Sequence, residues 1–340
     1  MYKEFYGLRD IPFSLAPDPK YLFRTESLLE VFANLQYGIE NGKGLVVVTG
    51  EVGNGKTTIL RSMLQSLDRS VLAAYIFNPL LATGEFFDLL TGEFRLRTEA
   101  SKASMLRLLG YMLMTRHSQG MRTVLVVDEA HLLPPHLLEE IRLLSNFETN
   151  REKLLQIILC GQPELHAVLA QPELRQLKQR VSLKCSLKPL AARETAQYIL
   201  WRLRVAGANN ENLFEPDAVR MIHSFSGGIP RIINNICDNA LLTGFGAASP
   251  VITASIISEV VEALDLSPME SASPQTIGEA VAGRDASSPT ASEILAGARA
   301  KENNVRYINR EKSGFALNTE REDDEIVPLK FFSRVRVKRG

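Results

Sequence analysis

A glycine-rich segment constrains the fold of this chain more than any other feature of the sequence. Residues 50–57 have the sequence GEVGNGKT and match the pattern G-x-x-x-x-G-K-[ST]. An apolar run (44–50) precedes the segment and a helical pattern (57–67) follows it, which is the strand–loop–helix context that the pattern requires. Glycines there let backbone N–H groups surround phosphate oxygens at the positive end of a helix. The segment therefore predicts a phosphate-binding loop in an α/β fold.

The side chains of this loop predict that it binds ATP together with Mg²⁺. Lys56 is expected to contact the β- and γ-phosphates, and the hydroxyl of Thr57 is expected to ligate Mg²⁺. A glycine-rich turn without a ligand is the alternative, and the spacing and context of the motif disfavour it. The residues predicted to bind the nucleotide are Gly50, Glu51, Val52, Gly53, Asn54, Gly55, Lys56, Thr57 and Thr58.

An acidic pair follows the apolar run VLVV (124–127). Asp128 and Glu129 come at the carboxyl end of the strand predicted there, where open α/β sheets bind their ligands. Asp128 is expected to hold Mg²⁺, directly or through water. Glu129 is expected to polarise the attacking water as a general base. A solvated acidic strand end is the alternative, which the phosphate-binding loop upstream disfavours.

The letters DEAH at residues 128–131 also occur in helicases. The chain is too short for two tandem motor domains, and no arginine-rich QRxGRxGR-like motif is present. We therefore interpret His131 as a residue at the start of a helix beside the site.

Apolar runs that alternate with helical patterns predict a mostly parallel sheet covered on both faces. The predicted strands are residues 44–50, 71–77, 123–131, 154–162 and 182–190. Strand patterns stop near Ala191, and helical patterns continue to residue 264. The predicted organisation is an α/β domain (1–190), a small helical domain (191–266) and a low-complexity tail (267–340). The tail is rich in Ser, Ala, Pro and Gly, and we expect it to be mostly disordered.

Charge and composition disfavour several other classes of protein. Lys and Arg total 39 and Asp and Glu total 39, so a generally basic nucleic-acid binder is not indicated. The 3 cysteines form no CxxC or Cys/His cluster, which disfavours a disulfide framework and a zinc site. No apolar run of about 18 residues and no secretory signal pattern is present. We therefore expect a cytoplasmic protein that can still attach peripherally to the inner membrane through a partner.

The order of the motifs resembles that of an AAA+ ATPase. After the DEAH-type strand come LLQIILCGQPEL (154–165), LRQLKQRV (174–181) and GGIPRIINNICDNAL (227–241). The opening FYGLRDIPFSLAPDPKYLF (5–23) resembles the start of the ExeA/GspA family of secretion-associated ATPases. The resemblance covers about residues 2–265 and not the tail. It implies a P-loop AAA+ domain, a helical lid and hydrolysis of ATP with Mg²⁺.

The resemblance implies roles for three further residues. Gln162 stands at the sensor-1 position, where a polar side chain aligns water with the γ-phosphate; a strand-end turn residue is the alternative. Arg180 immediately precedes the fifth strand, where AAA+ proteins commonly place the arginine finger that enters a neighbouring subunit's site. Arg175 is the competing candidate, and surface arginines on a solvated helix are the alternative for both. Arg231 matches the sensor-2 arginine, which contacts the γ-phosphate from the lid; an exposed first-turn arginine is the alternative.

The resemblance also implies how the N-terminal segment and the partners are arranged. Residues that include Phe13, Pro17, Asp18 and Pro19 are expected to fold over the nucleotide base, although a plain core position is as good an interpretation for Phe13. Relatives serve type II secretion, pilus biogenesis and exopolysaccharide loci. We therefore expect a homo-oligomer that works with envelope secretion or polysaccharide-export proteins.

Many family members continue into a transmembrane helix and a periplasmic peptidoglycan-binding domain, and the lack of both here favours the short, cytoplasmic relatives.

Two other functions stay open from the sequence. A DNA-binding AAA+ regulator of the transposition target-selection type is the first alternative, which the neutral charge balance disfavours. A nucleotide-dependent scaffold that hydrolyses very slowly is the second, which the presence of both Asp128 and Glu129 disfavours.

Overall fold

Every strand of the sheet runs parallel to its neighbours. The computed structural model describes residues 1–269 apart from residues 17, 69, 78–81, 97–100 and 211, and the expected tail lies outside these residues from position 270 onward. The strands are β1 (Leu45–Gly50), β2 (Leu72–Ile76), β3 (Thr123–Val127), β4 (Gln156–Gly161) and β5 (Val181–Leu187). They form a five-stranded sheet in the order β2-β3-β4-β1-β5. The predicted α/β fold is confirmed.

The predicted strands all form, and each ends earlier or begins later than its apolar run suggests. The third strand stops at Val127 rather than at residue 131, because Glu129 takes a left-handed conformation with φ 51° that breaks the ladder. The fifth stops at Leu187, since Pro189 has no N–H to continue the pairing. The three strands β1, β3 and β4 are buried along their whole length, which explains why they have continuous apolar sequences.

Twelve α-helices surround the sheet or follow it in the described part of the chain. They are α1 (Tyr2–Phe5), α2 (Glu26–Glu40), α3 (Lys56–Ser66), α4 (Thr83–Glu93), α5 (Lys102–Ser118), α6 (Pro135–Leu144), α7 (Leu165–Val168), α8 (Arg175–Gln179), α9 (Ala192–Val205), α10 (Pro216–Ser226), α11 (Pro230–Gly246) and α12 (Ala254–Ala263). Short 3₁₀ turns occur at Pro19–Tyr21, Ala130–Leu132 and Pro172–Leu174. None of the helices in these described ranges is long and apolar enough to cross a membrane.

The sheet separates two apolar layers. Because side chains alternate along a strand, Val47 of β1 joins the layer formed with α4, α5 and α6, whereas Val46 and Val48 join the layer formed with α2 and α3. Helix α2 begins at Thr25, whose hydroxyl accepts a hydrogen bond from the N–H of Leu28. Both faces are therefore covered, and the ends of the strands are left for a site.

A third core lies among the helices that follow the sheet. Helices α9 to α12 bury their apolar faces against one another and against four N-terminal side chains, which are Tyr6, Leu8, Phe13 and Tyr21. Phe13 is 1% exposed and packs edge-to-face on Phe214, with ring centroids 5.9 Å apart. The backbone N–H of Arg9 donates to the carbonyl of Ala206 at the end of α9 (2.8 Å). The N-terminal segment therefore shares its core with helices that come more than a hundred residues later in the sequence.

Candidate nucleotide-binding site

The loop between β1 and α3 has the geometry of a phosphate cradle. Helix α3 begins at Lys56, so its first backbone N–H groups face the loop. Gly53 has φ +84°, and a Cβ atom there would lie 2.6 Å from Cβ of Arg231 and 3.0 Å from Ile229. Only glycine fits this position, because helix α11 approaches the loop closely. Glycine at position 53 is therefore required by packing as well as by the loop conformation.

Lys56 carries a buried positive charge. Its side chain donates from Nζ to the carbonyl oxygens of Gly50 (2.7 Å) and Glu51 (3.1 Å), and the residue is 6% exposed. Within the described residues it forms no ion pair with a carboxylate. A buried ammonium that is solvated only by carbonyl groups attracts an anion strongly. The loop therefore presents an unneutralised charge where a phosphate is expected.

Asp128 and Thr57 meet at the carboxyl end of the sheet, as the motifs predict. The hydroxyl of Thr57 donates to Oδ2 of Asp128 (2.8 Å), and the N–H of Glu129 donates to Oδ1 (3.0 Å). Both residues offer the hard oxygen ligands that Mg²⁺ prefers, and the carboxylate is 4% exposed. These two side chains fit a magnesium ion in this position.

Tyr75 is a member of the site that the sequence analysis did not identify. Its hydroxyl donates to the same Oδ2 atom of Asp128 (2.6 Å) from the neighbouring strand β2. Burial and the Asp128 carboxylate raise the pKa of Tyr75, so the phenol keeps its proton and acts as a donor. Burial, followed by the charge of Asp128, also raises the pKa of the nearby Cys160 thiol. The one available signal was a polar hydroxyl near the end of an otherwise apolar strand.

Glu129 lines the cavity in a strained backbone conformation. Its φ of 51° is rare for a residue with a side chain, and such strain persists where the surroundings fix it. Its Oε2 atom is buried and accepts no hydrogen bond within the described residues, and Nδ1 of His131 lies 3.4 Å from it. The same ring nitrogen is 3.4 Å from the backbone N–H of Gln162. His131 therefore lies between Glu129 and Gln162, a link that the sequence analysis did not predict.

Gln162 and Arg231 approach the site from different directions. Gln162 directly follows β4, which lies between β3 and β1, so it stands between the acidic pair and the loop. Arg231 is the second residue of α11, and its N–H donates to the carbonyl of Gly53 (3.3 Å). Gly228 closes the turn before α11, with its carbonyl accepting from the N–H of Leu190 (2.9 Å). The helix that carries Arg231 is thus tied to the loop and to the end of the sheet.

A cavity of about 390 Å³ lies between the loop, Glu129, Arg231 and the N-terminal segment. Its walls come from residues 52–58, from side chains between Ser14 and Leu28, from Glu129, from the end of β5 and the residues after it, and from the helices α9 and α11. Asp18 lines the cavity, whereas Phe13 lies in the core beside it, Pro17 lies outside the described residues, and of Pro19 only the backbone is described. A cavity of this size is typical of a small-molecule site.

Arg202 connects the two walls of the cavity. Its guanidinium donates to the carbonyls of Pro12 (2.5 Å) and Ser14 (3.3 Å) and to the hydroxyl of Tyr198 (2.7 Å). It also lies over the ring of Tyr21, 4.6 Å from the centroid. This arginine, which is 5% exposed, therefore adds buried polar contacts to the apolar core that the N-terminal segment shares with α9.

Neither of the two finger candidates lines the cavity beside the chain's own loop. Arg180 directly precedes β5, and the first residue of β5 pairs with the first residue of β1. The loop follows the last residue of β1, so the length of that strand separates Arg180 from the loop. At roughly 3.3 Å per residue this distance is about 20 Å. From Nη1 it donates to Ser145 (2.7 Å), Asn146 (2.5 Å) and the carbonyl of Arg142 (3.4 Å). Arg175 is exposed and has no partner among the described residues. The structure therefore does not bring either arginine to this chain's own site.

Comparisons with known proteins agree with this fold. An AAA domain model matches residues 39–169. The general secretion pathway protein A of Aeromonas hydrophila is 44% identical over 260 residues, which are 76% of this chain and 47% of that protein. The chain thus spans about half the length of the curated relative that it matches.

Solved structures share the fold at low sequence identity. Drosophila ORC bound to DNA has a TM-score of 0.59 and 18% identity, covering 75% of this chain and 65% of that one. The ORC2 protein of Aeropyrum pernix has a TM-score of 0.57 and 14% identity, with coverages of 76% and 72%. A Walker-type ATPase of Pyrococcus abyssi has a TM-score of 0.51 and 18% identity, with coverages of 74% and 76%. These likenesses concern the fold alone.

The parallel sheet, the loop and the matched domain define a nucleotide-binding AAA ATPase of the P-loop class. Within that class the chain belongs to the ATPases of the general secretion pathway protein A type. The resemblance to the ExeA/GspA family that the motifs indicated is confirmed.

Proposed function

We propose that this chain binds ATP with Mg²⁺ in the cavity beside the loop 50–57 and hydrolyses it to drive assembly or export in an envelope system. The observation that carries the proposal is the contact between Thr57 and Asp128 next to the unneutralised ammonium of Lys56. It combines an oxygen pair suited to a divalent cation with a buried charge suited to phosphate.

The binding roles follow from these positions. Residues Gly50 to Thr58 surround the phosphates with backbone N–H groups, and Lys56 exchanges its loop carbonyls for phosphate oxygens. Thr57 and Asp128 hold Mg²⁺, directly or through water. When bound, Mg²⁺ neutralises charge on the phosphate oxygens.

The hydrolytic roles fall to residues at the carboxyl ends of β3 and β4. Glu129 accepts a proton from the attacking water, and Nδ1 of His131 lies 3.4 Å from its carboxylate. Gln162 orients that water, and Arg231 contacts the γ-phosphate from α11. Loss of the γ-phosphate then removes the contact between Arg231 of α11 and the nucleotide, which changes the angle between the helices and the sheet.

A second copy of the chain completes the site in this proposal. The arginine finger comes from the segment 175–180 of a neighbour, because that segment lies at the opposite end of the sheet from its own loop. Arg180 has to release three hydrogen bonds to reach a neighbour's nucleotide, whereas Arg175 has none to release among the described residues. Arg180 stays our first candidate because it directly precedes β5.

The proposed organisation places the ATPase domain at 1–190 and the lid at 191–266. The proposed location is the cytoplasm, with peripheral attachment to the inner membrane through a secretion, pilus or polysaccharide-export partner. The support is the 44% identity to a protein named for the general secretion pathway. DNA-dependent regulation remains the alternative that the experiment below separates.

The test is nucleotide binding followed by steady-state turnover. Wild-type protein should bind a fluorescent ATP analogue, and Lys56→Ala should weaken binding at least tenfold, because a charged contact to phosphate is lost. Lys184→Ala, an exposed lysine on β5, is the control and should bind like wild type. Unchanged affinity in Lys56→Ala would contradict the proposed loop.

Turnover measured against protein concentration, with and without duplex DNA at two salt concentrations, separates the functions. Specific activity that rises with protein concentration and ignores DNA supports a trans arginine finger in an envelope ATPase. Stimulation by DNA that falls steeply with salt supports the transposition-type regulator instead.

A further inference from the structure

The edge strand of the sheet contributes a hydroxyl to the acidic residue of the site. Tyr75 lies on β2, the edge strand next to β3, and is 7% exposed. Its hydroxyl is 2.6 Å from Oδ2 of Asp128, a shorter contact than the one from Thr57 to the same oxygen (2.8 Å). None of the roles proposed above uses this tyrosine.

Asp128 is a buried carboxylate that neutral groups stabilise. It is 4% exposed and forms no ion pair with a cationic side chain in the part of the chain that the structure describes. Its donors are the hydroxyls of Thr57 and Tyr75 and the N–H of Glu129. Because Tyr75 provides one of the two hydroxyl donors on Oδ2, its removal leaves Thr57 as the remaining hydroxyl donor to that oxygen.

The tyrosine itself is fixed from two sides. Its ring is buried between β2 and the layer of α2 and α3, and its backbone N–H donates to Glu93 of α4 (3.3 Å). An edge strand leaves such N–H groups unpaired by the sheet, and here a helix residue satisfies one. The hydroxyl therefore has a defined position before any ligand binds.

We propose that Tyr75 is a positioning residue for the metal: it holds the Asp128 carboxylate in the orientation that binds Mg²⁺ and so sets the Mg²⁺ affinity of the nucleotide complex. The proposal rests on the function proposed above. Two hydroxyls on Oδ2 and an N–H on Oδ1 oppose rotation of the carboxylate about its Cβ–Cγ bond, which keeps its remaining lone pairs directed at the cation. Partners that orient metal-binding groups typically change metal affinity by about 10- to 100-fold when removed.

The experiment is a Mg²⁺ titration of binding rather than of activity. A fluorescent ATP analogue is bound to wild-type protein and to Tyr75→Phe in EDTA, and Mg²⁺ is then added while fluorescence is followed. Tyr75→Phe keeps the ring and loses only the hydroxyl. We expect its affinity without metal to equal that of wild type and its Mg²⁺ midpoint to rise about tenfold or more.

Tyr6→Phe is the matched control. Tyr6 is also buried and its hydroxyl donates to the carbonyl of Ser249 (3.1 Å), within the core of the helices α9 to α12. This variant should have the wild-type Mg²⁺ midpoint. A wild-type midpoint in Tyr75→Phe overturns the proposal.

Two further variants separate positioning from general structure. Asp128→Asn should raise the midpoint by itself, and Tyr75→Phe added to it should raise it no further, because the hydroxyl acts through that carboxylate. Additive effects in the double variant overturn the positioning role. If wild-type protein fails to bind the analogue, or if Asp128→Asn leaves the midpoint unchanged, the proposed metal site has failed rather than the role of Tyr75.

Discussion

At the scale of single residues, the site holds its charges with neutral groups. Carbonyl oxygens solvate the ammonium of Lys56, and hydroxyls solvate the carboxylate of Asp128. An internal ion pair between the two would leave little charge for a ligand. The separation of the charges is therefore the property that makes this edge of the sheet receptive to a phosphate and a cation together.

Glu129 provides the sharpest prediction at this scale. Glu129→Gln keeps the shape of the side chain but removes its ability to accept a proton, so ATP binding should persist while turnover falls by about 10²- to 10⁴-fold. Binding of a fluorescent analogue and phosphate release measure the two quantities. Glu164→Gln, an exposed residue after β4, is the control and should turn over like wild type. Hydrolysis at the wild-type rate in Glu129→Gln would contradict the general-base role.

The sequence predicts the residues that belong to spaced motifs and misses those that arrive from other elements. Lys56, Thr57 and Asp128 carry recognisable spacings, and the structure brings them together. Tyr75 and Arg202 carry none, because a tyrosine in a strand and an arginine in a helix are ordinary on their own. Their meaning depends on which strand lies next to β3 and on where the N-terminal segment packs, and local sequence patterns contain neither fact.

At the scale of elements, the strand order explains why the motifs converge. Strands β3, β4 and β1 are adjacent, so the residues that follow each of them share one edge of the sheet. The sequence predicts the five strands but not their order, since apolar runs do not specify neighbours. It also overestimates the third strand, because the left-handed conformation of Glu129 is decided by packing around the site.

The turn before α11 is the element on which the position of the lid helix depends. A Cβ atom at Gly228 would lie 1.9 Å from the carbonyl oxygen of Leu190, and its φ of +77° disfavours any other residue. We therefore expect Gly228→Ala to lower the free energy of unfolding by about 2–4 kcal/mol and to weaken nucleotide binding. Urea denaturation and the fluorescent analogue measure both effects.

Gly246 provides the matched control for this turn. It lies at the other end of α11, its φ is not positive, and a Cβ atom there would have no described atom within 4 Å outside its own helix turn. Gly246→Ala should leave stability unchanged or raise it slightly, because alanine favours a helix. Equal stabilities for the two variants would contradict the role assigned to the turn.

At the scale of the whole molecule, one chain does not contain a complete set of the proposed catalytic groups within reach of its own nucleotide. Arg180 stands at the opposite end of the sheet from the loop, and neither Arg180 nor Arg175 lines the cavity. A variant that lacks the true finger should bind ATP normally and lose the activity that depends on oligomers. It should regain activity when mixed with Lys56→Ala subunits, which bind ATP weakly but still carry the arginine.

The two arginines predict different side effects. Arg180→Ala also removes hydrogen bonds to Ser145 and Asn146, so it should lower the melting temperature, whereas Arg175→Ala should not. Arg193→Ala, an exposed arginine at the start of α9, is the control for both. If Lys56→Ala subunits restore activity to Arg175→Ala and not to Arg180→Ala, the finger is Arg175. If both variants keep full activity without mixing, neither arginine is the finger.

The shared core of the N-terminal segment and helices α9 to α12 has a consequence for synthesis of the chain. Tyr6, Leu8, Phe13 and Tyr21 leave the ribosome first, but the helices that cover them begin only at Ala192. At about 5–20 residues per second, those side chains wait on the order of ten seconds or longer for their partners. During translation these early apolar residues are thus among the last to be buried. A chaperone that binds nascent chains would find their apolar side chains exposed during this interval.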